Sequence, residues 1–184
     1  MSSERGITLV ELLIYSMLLV LVLSVVGGIL TSTTRTSKTV GSITQATTAG
    51  QLVASSVESG IRNSSDFQLT TPAGTDQLLI ARTAKGGATL TWMCAAWYYS
   101  ATGTGSIYYT TSPTAIPALP TATDLSHWTL LDRGVSPISG TGIFVATAEQ
   151  LTITFKGLAG THSPVNITSS SFSRAGATGV PACY

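Results

Sequence analysis

Few side chains in this 184-residue sequence are suited to chemistry, and they are widely spaced. The only cysteines are Cys94 and Cys183, and the only histidines are His127 and His162. Two thiols with no histidine close by do not make a zinc ligand set, so no metal is expected. In an exported domain the two cysteines form one disulfide that pins the C-terminal segment to a strand; the other reading is a pair of free, buried thiols. Neither histidine stands in an HExxH or HxH pattern, and no GxSxG elbow occurs. His127, beside Trp128, reads as a surface or packing residue. Thr102-Gly103-Thr104-Gly105 lacks the strand-then-helix setting of a phosphate loop. Asp124 and Asp132, eight apart, offer calcium too few ligands and read as solvated loop acids. Asn166-Ile167-Thr168 matches a glycosylation sequon. Trp92, Trp97, Tyr98, Tyr99, Tyr108 and Tyr109 would give a ligand a stacking platform, although alternate strand positions more often face a core. No catalytic residue, no cofactor and no enzymatic activity are expected.

One acid is conspicuous by its surroundings. From Ile7 to Leu30 the chain is uncharged except at Glu11. A helix over those positions would run roughly 36 Å at 1.5 Å per residue, against a bilayer core of about 30 Å. A carboxylate at the centre of such a helix costs on the order of 2.5–3.5 kcal/mol, so it calls for a partner. Ser16, Ser24, Gly27 and Gly28 suit close packing against neighbouring helices.

The remaining elements follow from periodicity. Val40, Ile43, Thr47, Gly50, Val53, Val57 and Ile61 recur at three- and four-residue steps and predict one apolar stripe. Residues 7 to 64 therefore read as one long helix, weakened at Gly27-Gly28 and in the β-branched stretch 31–40. Glu58 and Arg62 lie four apart on its outer side. After Asn63 the period changes. Strands are predicted at 67–70, 77–83, 88–100, 106–111, 127–133, 142–147, 150–156 and 166–173, with a turn at Lys85-Gly86-Gly87 and a proline-rich loop over 113–124. One helix followed by strands on short turns predicts an α+β fold with a mostly antiparallel sheet. About 150 residues beyond the apolar run suffice for one domain with its own core. Only 9% of residues are charged and the net charge is +1, which leaves no electrostatic footprint for nucleic acid or an acidic membrane.

Three readings of the N-terminal stretch remain open on these grounds. A secretory signal peptide would use residues 12–26 as its apolar region, with Val26-Gly27-Gly28 as a cleavage site, but Glu4 offsets Arg5 and Glu11 has no role. A plain single-pass anchor gains nothing from flanking charge, since Arg5 lies on one side and Arg35 and Lys38 on the other. A cut between Gly6 and Ile7 would free an amine four residues from Glu11. The amine of one subunit could then meet the carboxylate of a staggered neighbour, offsetting its cost and setting the register of a helical bundle.

Gly6, Ile7-Thr8-Leu9-Val10-Glu11-Leu12-Leu13-Ile14 and the following apolar run resemble the type IV prepilin signature, shared with the pseudopilins of type II secretion and competence systems. The resemblance covers about 25 residues. It implies a leader (1–6) removed by a prepilin peptidase, N-methylation of the new terminus, a transmembrane and polymerisation helix half (7–30), an amphipathic half (31–64) and a β-rich head (65–184). It implies Gly6 and Ile7 as processing residues and Glu11 as the assembly residue. The implied partners are other pilin or pseudopilin subunits, the prepilin peptidase, an inner-membrane assembly platform, and membrane lipid before assembly; no nucleic acid is implied. The chain would sit in the cytoplasmic membrane as a single-pass protein with its head extracytoplasmic, then move into a pilus or pseudopilus at the cell surface. Ile7 stands where Phe is usual. No proline interrupts the helix, so Gly27-Gly28 would supply local softness. The paired tyrosines flanking a glycine turn, followed by HWTLLDRGV and LTITF, are similar in layout to J- or W-type minor pilins. The alternative is a membrane-tethered or secreted extracytoplasmic binding domain.

Overall fold

The computed structural model describes residues 8–85, 91–118, 120, 122–173 and 182–184. The chain divides into two compact units between Gly41 and Ser42. Gly6 and Ile7, and the expected turn beyond Lys85, lie outside the described residues.

The first unit holds the N-terminal part of α1 (Leu9–Arg62). Thr8 caps it. The N–H of Glu11 donates to Thr8 Oγ1 at 3.3 Å, and the N–H of Leu12 to the Thr8 carbonyl at 3.2 Å. The apolar side chains from Leu9 to Leu30 are exposed all round; the least exposed, Val26, is still at 46%. No face is covered, and the helix is long and apolar enough to cross a bilayer. The weakening expected at Gly27-Gly28 and over 31–40 does not interrupt it. Thr31, Thr33, Thr34, Thr36 and Thr39 donate their hydroxyls to the carbonyls four residues back, at 2.9–3.1 Å. Each hydroxyl shares the carbonyl that already accepts the N–H of its own residue, a back-bond that leaves the helical ladder continuous.

In the second unit α1 buries Ala46, Gly50, Val53, Ala54, Val57 and Ile61. The apolar stripe predicted from Val40 thus starts later: Val40 and Ile43 are exposed and Thr47 is half-buried. Burial follows the sheet beneath, and only the residues from Ala46 onward have sheet to cover. Asn63 ends the helix. Its side-chain amide donates to the Ser59 carbonyl at 2.9 Å, and its own carbonyl accepts the N–H of Ala84 at 2.9 Å.

Two antiparallel sheets follow. The first joins β1 (Ser64–Thr70), β2 (Gln77–Lys85), β3 (Thr91–Ser100), β4 (Ser106–Ser112) and β5 (Thr129–Arg133) in that order. The second is centred on β8 (Gln150–Ala159). β9 (His162–Phe172) pairs with it along nearly its full length, while the short β6 (Val135–Pro137) and β7 (Phe144–Ala146) pair with different stretches of it. A strand has two edges, so β6 and β7 lie end to end on the edge opposite β9. β6 was not foreseen; three residues cannot display a period. The proline-rich loop holds a four-residue helix, α2 (Ala122–Leu125). The fold is α+β: an N-terminal helix, its later turns packed on antiparallel sheet.

β2 and β3 are buried on both faces. Leu79, Ala81, Ala95, Trp97 and Tyr99 join Val53, Val57 and Ile61 of the helix in the main core, with Ile107, Phe144, Leu151, Ile153 and Phe155. Leu78, Ile80, Cys94, Ala96 and Tyr98 face a second layer that contains Ile116 and Cys183. That double burial is why both strands read as continuous apolar runs and not as alternating ones. Gln77 ties the two sheets together. Its Oε1 accepts the N–H groups of Ile143 and Phe144 at 2.6 and 2.8 Å, and its Nε2 donates to the Phe144 carbonyl at 2.9 Å.

Candidate functional site

Glu11 stands in the first turn of α1, where a negative charge complements the positive end of the helix dipole. Thr8 and Glu11 have the T-x-x-E spacing of a capping box, a signal present in the sequence that the reading of Glu11 as an intramembrane acid passed over. The cap fixes the backbone of Glu11. Its side chain is exposed, and its Oε1 accepts the hydroxyl of Tyr15 at 3.0 Å. Tyr15 was also missed, although its i,i+4 spacing from Glu11 marks it. Around this pair Leu12, Leu13, Ile14 and Leu18 are all more than half exposed. The arrangement presents one carboxylate on an otherwise uncharged apolar surface. Such a group can accept a cation and as many as about four hydrogen bonds. The processing residues, Gly6 and Ile7, lie outside the described residues.

In the second unit Cys94 of β3 and Cys183 form a disulfide across 89 residues of sequence, with both cysteines buried. The C-terminal segment is tied down at two further points. The carbonyl of Cys183 accepts the N–H of Ile116 at 3.1 Å, and the Tyr184 hydroxyl donates to Asp66 Oδ2. Burial, with the Asp66 hydrogen bond second, pushes the Tyr184 phenol up to about 12. Burial, followed by the hydrogen bond to Asp76, raises the Tyr98 phenol well above the usual range. Asp76 also accepts the N–H of Ala101 at 2.7 Å, so one carboxylate anchors both Tyr98 and the turn after β3.

The other candidates fall into ordinary structural places. Trp97, Tyr98 and Tyr99 are buried and Trp92, Tyr108 and Tyr109 half-buried, so the aromatic residues do not form a common exposed platform. Trp97 Nε1 donates to Ser56 Oγ on α1 at 3.0 Å, and its ring tilts against Tyr109 with centroids 5.4 Å apart. His127 and His162 are exposed. Thr102–Gly105 is a hairpin turn between β3 and β4, in which Gly103 and Gly105 take positive φ. Asp132 Oδ1 accepts the N–H of Arg133 at 2.7 Å. Burial raises its carboxyl, and that hydrogen bond opposes the rise. Asn166 and Thr168 are exposed on one face of β9. Among the described residues no three of His, Cys, Asp and Glu come together as a metal-binding group. No family model, curated protein or solved structure matches the chain.

Proposed function

We propose that this chain is a structural, non-enzymatic minor subunit of a type IV pilus or type II secretion-like pseudopilus. A prepilin peptidase removes residues 1–6, residues 7–30 hold the subunit in the membrane and then polymerise, and the head faces the outside. The observation that carries the reading is the sequence Gly6-Ile7-Thr8-Leu9-Val10-Glu11 at the head of a helix whose apolar side chains are exposed on every side. A surface of that kind needs lipid or other apolar helices around it. A filament core provides both conditions in turn, and the freed amine of a neighbour provides a cation for Glu11. The buried disulfide fits a head that matures in an oxidising compartment.

N-terminal sequencing of the mature protein tests the reading. The expected first residue is Ile7, and the chain is expected in the sheared filament fraction. A terminus at Met1 points to a plain tether, and one near Gly28 to a secreted domain; either result rejects the proposal.

A further inference from the structure

Resting on the filament reading, we propose that Tyr15 is the positioning residue for Glu11: its phenol holds the carboxylate in the orientation that receives a neighbouring chain's N-terminal ammonium. The Tyr15 hydroxyl donates to Glu11 Oε1 at 3.0 Å across one turn of α1, and the cap from Thr8 fixes the Glu11 backbone. Among the described residues no other side chain bonds this carboxylate.

The assignment is selective. Tyr15 is the only tyrosine between Ile7 and Leu30. The two serines of that stretch spend their hydroxyls on the helix itself. Ser16 donates to the Leu13 carbonyl and Ser24 to the Val20 carbonyl, each at 2.8 Å. The Tyr15 hydroxyl is turned to the acid.

A phenol suits this task. In water its bond to an exposed carboxylate contributes little, but in a dehydrated bundle every unfilled acceptor of an ion is costly. An ammonium approaches a carboxylate from one side and leaves acceptor positions open, and Tyr15 fills one of them. Its ring tolerates lipid and its hydroxyl carries no charge. A lysine at this position would neutralise Glu11 within its own chain and remove the drive to pair with a neighbour. Tyr15 supports the acid before assembly and leaves its charge for the incoming subunit.

The test uses the full-length chain in its own host. Tyr15→Phe and Tyr15→Leu are each made with Glu11 intact and with Glu11→Gln. The processed chain is then quantified in sheared, pelleted filaments and in membranes. With Glu11 intact, both Tyr15 variants are expected to lower incorporation to a similar extent, on the order of tenfold, the scale of one charge-assisted hydrogen bond. With Glu11→Gln, Tyr15→Phe is expected to add no further loss. Normal incorporation of Tyr15→Phe overturns the proposal. So does an equal loss in both backgrounds, which means the hydroxyl acts independently of Glu11, or a loss with Leu but not Phe, which means the ring serves packing. The filament reading fails separately: Glu11→Gln then incorporates normally, or the unaltered chain enters no filament, and the role of Tyr15 falls with it.

Discussion

A glutamine and a tyrosine show how single polar groups decide stability in the second unit. Gln77 is buried and fills three hydrogen bonds to the backbone of Ile143 and Phe144. Gln77→Leu keeps the volume but strands two N–H groups and a carbonyl between the sheets. A loss of about 3 kcal/mol or more is expected in urea unfolding of the detergent-solubilised chain. Tyr184 gives a pH signature. Its phenol lies near 12 in the folded chain, above the ordinary value of 10.0. The neutral form is favoured by folding, so its contribution is complete below pH 10 and is lost as pH rises towards 12. Alkaline unfolding of Tyr184→Phe should lack this component, and an unchanged profile would mean that ionisation of Tyr184 carries no weight in stability. Glu11 acts on another quantity. Under the filament reading, Glu11→Val leaves membrane insertion and head stability intact and lowers recovery in filaments; normal recovery counts against any role for the acid in assembly. Of these residues only Glu11 stood out in the sequence, because a charge in an apolar run is a local anomaly. Gln77 and Tyr184 resemble many other polar residues until their partners, 67 and 118 positions away, are in place.

At the scale of elements, the helix–sheet contact depends on absent side chains. A Cβ on Gly60 would lie 2.1 Å from Trp97 Cη2, and one on Gly50 would lie 2.7 Å from Ile167 Cγ1. The glycines let α1 approach both sheets, at a helix-propensity cost of about 1 kcal/mol each. Gly60→Ala gains propensity but must displace a buried indole. The expected net loss is about 1–3 kcal/mol, read as a lower midpoint in thermal unfolding. A midpoint equal to or above that of the unaltered chain would show that the Trp97 ring moves freely. Gly27 and Gly28 differ, because nothing lies within 4 Å of a Cβ at either position. The single chain therefore gives no packing reason for them, as expected if their use lies in contacts with other helices. The period of the apolar residues located the buried face of α1 from Gly50 onward. It misplaced the start of that face, because periodicity records what a helix could bury and the extent of the sheet decides what it does bury.

For the molecule as a whole, the disulfide joins the second layer to the middle strand of the larger sheet. Closing a loop of 89 residues removes roughly 4–5 kcal/mol of unfolded-state freedom in the chain-entropy model. Replacing both cysteines by serine should cost much of that and loosen the cover over Leu78, Ile80 and Tyr98. Denaturant unfolding and protease sensitivity of the full chain measure both effects, and an unchanged unfolding midpoint would rule out a stabilising role. Apart from the three-residue β6, the order of α1 and the strands, together with the apolar N-terminal stretch with its single acid and the absence of strong charge, followed from local patterns of residue type, because side-chain period and hydropathy act over a few residues. The two-sided burial of β2 and β3, the branching of the second sheet around β8, the Gln77 link and the hydroxyl placed on Glu11 depended on which surfaces meet. Long-range contact is a property of the folded chain, and no short stretch of sequence contains it.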